Sequence, residues 1–412
     1  MKPYEASDKG ARGTYRRRFL TSSAISIIGD GATLAVMALA SSIAGYSIVE
    51  TGWILAASAV PKCAVVLWGG IAGDRYERRT LLILAYVIAG LAQIFSGAIL
   101  LFQGPTLLLI LAQIIFGSAV AVSRPASTAY LPSVATADEL ASANSALTTA
   151  SSVASTVGPL IGAVFVMLEI APWALVADGF SFIVASVLLM GLPASQGAIS
   201  KATSTWTAVR SGAKELMAVP WLVSEMCASA ILLFMVTGPF LVLGPAAAAA
   251  LGFPSLWPIA LAVFGIGQIF GAVLGGRVRH EAPVLKWASY GVVALALPPI
   301  CLILQWHPAW FVFAEAGTGV ALGFYQVTVT TAMQRAVAPG SLARVASLNA
   351  FISFSLLPAS FIIAPIVASA VGVTAVFVVS VVGTVITMVL LLLSPAVRRY
   401  RWRPAQIPAL KV

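Results

Sequence analysis

Two ionisable residues, Asp30 and Lys62, stand inside long apolar runs of the chain, where an isolated charge is costly and normally faces a partner or a water-filled cavity. Asp30 lies about eleven residues, roughly 16 Å, into its run, and Lys62 lies about ten residues from the end of the next one. A carboxylate and an ammonium at matching depth can face each other. Such a pair can act as a proton-coupled switch or a substrate anchor, or it can be a static buried ion pair, and the sequence leaves both readings standing. Gln113 and Arg124 in the fourth run and Glu315 in the tenth are further candidates for coupling or substrate contact, Glu315 because Tyr325 and Gln326 lie deeper in the same run. Asp178, Glu225 and Glu315 each lie within about two turns of a run's end, so snorkelling to water or helix capping is expected of all three.

A second chemical possibility is the stretch GGIAGDRYERR at 69–79, which has the glycines of a phosphate cradle. A P-loop requires G-x-x-x-x-G-K-[ST] between a strand and a helix. No Lys-Ser or Lys-Thr follows these glycines and apolar runs flank them, so the nucleotide reading fails. Metalloprotease and nucleophile-elbow patterns are missing too, with His280 and His307 the chain's two histidines. The reading is therefore a non-enzyme with no cofactor and no metal site. Cys63, Cys227 and Cys301 stand singly and read as small core hydrophobes.

The elements that must position these residues follow from composition. Of 412 residues, 60% are hydrophobic and 9% charged, with mean hydropathy +0.98, values of an all-α membrane protein. Twelve apolar runs are spans, at 19–44, 51–72, 80–101, 106–124, 145–168, 172–192, 219–244, 256–275, 285–304, 309–329, 348–370 and 373–394. The net charge of +10 would suggest nucleic acid in a soluble chain. Here the Lys and Arg residues precede span one, follow even-numbered spans or lie in the tail, Lys62 excepted, which excludes nucleic acid and places both termini in the cytoplasm. The first run is too long for a cleaved signal and is read as span one, with Arg16, Arg17 and Arg18 at lipid headgroups.

Residues 193–218 form the longest polar interval and divide the chain into an N-terminal six-helix half, 1–192, a linker, and a C-terminal half with a basic tail, 219–412. Faint echoes relate the halves: Gly69-Gly70 to Gly275-Gly276, and Leu140, Ala141 and Ser145 to Leu342, Ala343 and Ser347. They point to a duplicated six-helix unit. Thr136-Ala-Asp-Glu139 has capping-box spacing and predicts a helix from Ala137. Trp53, Trp173, Trp221, Trp257, Trp306 and Trp310 fall near span ends and read as an interfacial belt.

The pattern Gly70-x-x-Gly73-Asp74-Arg75-x-x-Arg78-Arg79-x-x-Leu82 resembles the signature loop between spans two and three of the major facilitator superfamily, with Glu77 where that pattern usually has a second glycine. The resemblance implies a two-half fold and a conformational latch made by Gly70, Gly73, Asp74, Arg75, Arg78 and Arg79. Gly158-Pro159-Leu-Ile-Gly162 is similar to the kinked antiporter element of span five, with Ala163 replacing its last glycine. Gln113 before Gly117 stands where the family often carries an arginine. Arg124-Pro125-Ala126, Leu131-Pro132, Leu140-x-x-x-Asn144 and Gly265-x-Gly267-x-x-x-Gly271 resemble the branch with the enterobactin exporter and macrolide-efflux proteins. What this implies is export of a small, largely apolar compound, such as a drug, macrolide or siderophore, by proton antiport across the cell membrane. The partners would be that substrate, protons and the lipid bilayer. Nutrient uptake or facilitated diffusion by the same fold is the alternative, a membrane-embedded enzyme on a lipid-linked substrate a remote one, and oligomeric state is left open.

Overall fold

A computed structural model describes residues 3–72, 77–136, 139–194, 205–250, 256–278, 283–337 and 339–401. Among these residues the secondary structure is helical, without strands. Eight helices are long and apolar enough to cross a membrane, from Arg78–Leu101 to Val373–Leu393, and the first span joins them as two apolar segments, Arg12–Gly31 and Val36–Ile43, that meet at 45°. The other three predicted spans coincide with the helices Ile48–Ala72, Leu140–Met167 and Pro308–Ala336. The protein is thus an all-helical membrane protein with twelve spans. Helices are the expected answer, because lipid offers no partner to a backbone N–H or C=O and each span must satisfy its own.

Span three shows how sequence sets orientation. Leu84, Ile88, Leu91 and Phe95 recur at helical spacing and are exposed, whereas Leu82, Ala85, Tyr86, Ala89 and Gln93 are buried. The apolar stripe of a water-soluble helix would face inward; here it faces outward, toward lipid, and the small and polar residues face the protein.

The chain forms two compact units. The first comprises Met1–Thr205, Leu241–Ala262 and Phe361–Ile366; the second comprises Trp206–Phe240, Val263–Ser360 and Val367–Val412. In the first, span one packs against spans five and six, span three against four and six, and span two against four. Its core is aromatic, with Phe182 in edge contact with Tyr86 and Phe116 at ring separations of 5.7 and 5.9 Å. In the second unit Trp221, Leu222, Leu285, Tyr325 and Val345 belong to one buried cluster. There Gly271 of span eight lies so close to Val320 of span ten that a side-chain carbon would collide with its carbonyl, the close approach that small residues permit between membrane helices.

Span seven, Pro220–Ala250, changes to a π turn over Leu233–Thr237. Pro239, two residues past its end, has no N–H to give the Phe234 carbonyl in the i−5 register of that turn. Ser360 supplies the missing partner, donating its hydroxyl to the Phe234 carbonyl.

Two expectations gain detail and one changes. The polar interval 193–218 contains a helix, Thr205–Met217. At span five the Glu139 carboxylate accepts from the Thr136 N–H at 3.1 Å, the back-bond of the expected capping box; Ala137 lies outside the described residues, and the described helix runs Leu140–Met167. Trp53, Trp173, Trp306 and Trp310 are exposed as an interfacial belt requires, but Trp221 and Trp257 are buried. Trp257 fills the notch at Gly244, and Trp221 packs against Tyr400 with the rings tilted and 5.3 Å apart. Proximity to a span end does not say which face of the helix an indole occupies.

Candidate functional site

Asp30 stands between two glycines, and both are notches. A side-chain carbon at Gly29 would strike Ser181 and Asp178 of span six, and one at Gly31 would strike the Ala154 carbonyl of span five. The Gly-Asp-Gly sequence therefore lets span one lie against its neighbours with the Asp30 side chain turned inward. The bend of span one begins just after it, where glycine weakens the helix.

The structure brings Asp30 and Lys62 together, with Lys62 Nζ 3.4 Å from Asp30 Oδ1. It adds a second cation: Arg124 Nη2 lies 3.5 Å from Oδ2. One carboxylate thus ties spans one, two and four. Both separations exceed the roughly 2.7–2.9 Å of a tight charge-assisted hydrogen bond, so neither cation is locked in place. Lys62 Nζ also sits over the Phe116 ring, 5.1 Å from its centroid, in cation–π contact. Asp30 is mostly covered and Arg124 is largely exposed. Beside them opens a cavity of about 290 Å³, lined by Asp30 and Arg124, by hydroxyls such as those of Ser123, Ser127 and Ser151, and by apolar Val120, Leu147 and Phe182.

Behind this cluster runs a network of hydrogen-bonded side chains. Asp178 of span six is buried, and its Oδ2 accepts from Thr33 Oγ1 and Gln93 Nε2, each at 2.8 Å. Gln113 Nε2 donates to Gln93 Oε1 at 3.0 Å and to Ser96 Oγ at 2.9 Å. Four spans are connected through these side chains. Thr33 and Gln93 were not among the residues singled out, and Asp178 was expected to reach water or a helix end rather than this network. The available signal was that Gln93, like Gln113, is an amide in the middle of an apolar run.

The snorkelling expectation fails for all three acids. Asp178, Glu225 and Glu315 are 5%, 6% and 3% exposed. Distance from a span end measures height only, and each of these acids points sideways into protein. Glu225 Oε1 accepts from Ser229 at 2.7 Å and from the Tyr325 hydroxyl at 3.4 Å, while Glu315 Oε1 has no hydrogen-bond partner.

In the signature loop, Gly73, Asp74 and Arg75 lie outside the described residues, and Gly70 is described only as part of the span-two helix. Glu77 caps span three: its carboxylate accepts from the backbone N–H of Arg79 at 3.1 Å and of Thr80 at 2.8 Å. Arg78 is that helix's first residue. Arg79 donates to the Leu192 carbonyl just past span six, where Arg18 also reaches the Met190 carbonyl at 2.9 Å. Arg16 pairs with Glu139, so two of the three clustered arginines engage protein. Gly158, Pro159 and Gly162 lie in an unbroken helix, with both glycines buried.

The sequence matches the Major Facilitator Superfamily over residues 19–361. The chain belongs to this superfamily. No curated protein matches it significantly. Among solved structures, a D-xylose–proton symporter aligns with TM-score 0.68 at 12% identity, over 95% of this chain and 98% of that one. The nucleoside transporter NupG aligns with TM-score 0.65 at 12% identity, over 94% and 99%. A bacterial homologue of the human lysosomal transporter Spinster, inward-facing and unoccupied, aligns with TM-score 0.64 at 16% identity, over 98% and 100%. At these identities the likeness is one of fold. A major facilitator fold is a transporter scaffold rather than an enzyme, and it sets the Asp30 cluster in a multi-pass membrane protein.

Proposed function

We propose that this chain is a secondary active transporter that exports a small, largely apolar compound in exchange for protons, as the resemblance to the efflux branch implies. The observation that carries the reading is the single carboxylate of Asp30, shared loosely by Lys62 and Arg124 at the edge of a part-apolar cavity. A proton on Asp30 would release both cations and untie spans one, two and four. A substrate donating a hydrogen bond to the same carboxylate needs it bare. Proton and substrate then oppose each other's binding, which is the thermodynamic condition for exchange. The cavity, at about 290 Å³, is close to the size of the smallest small-molecule sites, roughly 300 Å³.

The rest of the proposal is organisational. Residues 1–192 and 219–412 act as two six-helix halves joined by the linker 193–218, with both termini cytoplasmic. The loop from Gly70 to Arg79 acts as the latch between conformations, and the element at Gly158, Pro159 and Gly162 sets the transport mode. Gln113 supports the cluster through Gln93.

The test is transport by purified protein in sealed vesicles, across a panel of small compounds, with and without a pH gradient. The wild type is expected to move at least one compound only while the gradient lasts, and Asp30→Asn to lose that dependence. Transport that survives collapse of the gradient, or gradient-driven transport intact in Asp30→Asn, would sink the mechanism.

A further inference from the structure

Glu225 belongs to the second compact unit and takes no part in the Asp30 cluster. It is 6% exposed, and its contacts come from oxygen- and amide-bearing side chains on three spans. Ser229, one turn along span seven, donates to Oε1 at 2.7 Å, and Tyr325 of span ten does so at 3.4 Å. Asn349 of span eleven reaches the same carboxylate. Two acceptors in this cluster are buried without a hydrogen-bond partner, Glu225 Oε2 and Asn349 Oδ1. An unpaired acceptor in a protein interior is expensive, and two on side chains that touch each other ask for a shared positive or donating group.

The protein does not supply that group from the described residues. Among them Glu225 makes no ion pair, and Tyr325 is the titratable side chain in contact with it. Span twelve, packed on span seven, has no ionisable residue between Val373 and Leu393. The short helix Pro395–Arg399 also packs there and carries Arg398 and Arg399, neither of them bonded to Glu225. In the first helix of span eleven the ionisable residue is Arg344, whose side chain is outside the described residues. A single carboxylate balances one positive charge. Divalent calcium asks for six to eight oxygens, usually with several carboxylates, so it is a poor match.

We propose that Glu225 and Asn349, with Ser229 and Tyr325, form a binding site for one monovalent cation. Its shared chemistry is a single positive charge that meets both orphaned oxygens, and two sources provide it. A sodium ion, a hard cation with a preference for oxygen ligands, could be coordinated by Glu225 Oε2 and Asn349 Oδ1. A proton on Oε2 could instead donate to the Asn349 carbonyl oxygen while the Asn349 amide donates back. The site is independent of the exchange reading at Asp30 and would give the transporter a second ion.

The experiment uses the purified full-length protein in detergent. Thermal unfolding is followed while sodium chloride replaces choline chloride at constant ionic strength, with potassium chloride as a second series. Infrared difference spectra between acid and alkaline samples report protonated carboxyl groups. For a sodium site, sodium raises the midpoint saturably by several degrees, and Glu225→Gln abolishes the rise. Asn349→Ala shifts half-saturation at least tenfold and keeps the test valid should Glu225→Gln fold poorly. For a proton site, sodium has no specific effect, and a protonated carboxyl band disappears in Glu225→Gln and moves in Asn349→Ala. Neither a sodium response nor a Glu225 carboxyl band, or a sodium response unchanged in both variants, overturns the proposal.

Discussion

Asp30 and Glu315 are both acids inside apolar spans, yet the two units surround them differently. In the first unit Asp30 lies between Lys62 and Arg124 and beside a cavity. In the second, Glu315 is enclosed, makes no ion pair among the described residues and has one oxygen without a hydrogen bond. Removing charge from Asp30 frees two cations, on spans two and four, whereas removing it from Glu315 frees none. A carboxylate can couple one event to another only if something mobile responds to its charge, and on that criterion the first unit has the switch.

The largest expected effect follows directly. Asp30→Asn should reduce gradient-driven transport in vesicles by about tenfold or more, within the roughly 5–150-fold of a typical coupling energy. Glu315→Gln, read in the same assay, should cost no more than about threefold, under roughly 0.7 kcal/mol. Equal losses in the two variants would break the comparison and make Glu315 a coupling residue as well.

Next in size is a stability effect. Asp178→Ala leaves Thr33 with a buried donor and no acceptor, a cost of about 1–3 kcal/mol, and leaves Gln93 Nε2 with only its 3.2 Å bond to Thr33 Oγ1. Thermal unfolding in detergent should fall by several degrees. Asp178→Asn keeps an oxygen at the site and should fall less. If both variants unfold with the wild type, the network behind Asp30 is not holding the first unit together.

What was legible in the sequence, and what was not, divides along physical lines. The twelve spans could be read because lipid permits little besides apolar helices of sufficient length. The Asp30–Lys62 contact could be read because matching depth on adjacent spans is a one-dimensional fact. Arg124 was a candidate, but its placement on the same carboxylate depends on the rotation of span four, which depth does not give. Asp178 was misjudged for that reason: two turns from a helix end leaves open whether the side chain meets water or Gln93. Glu77 was legible as an oddity in the signature loop, and its role became clear only when the carboxylate was seen on the first N–H groups of span three.

That cap gives a smaller prediction. Glu77→Ala exposes the N–H groups of Arg79 and Thr80 and should cost about 1 kcal/mol, the usual worth of an N-terminal cap. Glu77→Gly, which restores the residue common in the family pattern, should cost less, because glycine leaves those groups open to water. Thermal unfolding of both variants decides it: a glycine variant worse than the alanine one would mean that the loop needs the carboxylate for more than capping.

The smallest effect belongs to Glu139, at the start of span five and exposed. The Thr136 N–H donated to its carboxylate, together with Arg16 beside it, holds this carboxyl below the ordinary glutamate range. A carboxyl with a lowered folded-state pKa adds stability that is present above the unfolded value and is lost as pH falls through the folded one. Unfolding midpoints measured as pH falls below the ordinary glutamate range should therefore drop slightly more steeply for wild type than for Glu139→Gln. The backbone N–H is the larger cause, and it does not depend on Arg16. Arg16→Gln should consequently remove less of that slope than Glu139→Gln does. A slope lost equally in both variants would make the ion pair, and not the cap, the source of the pH dependence.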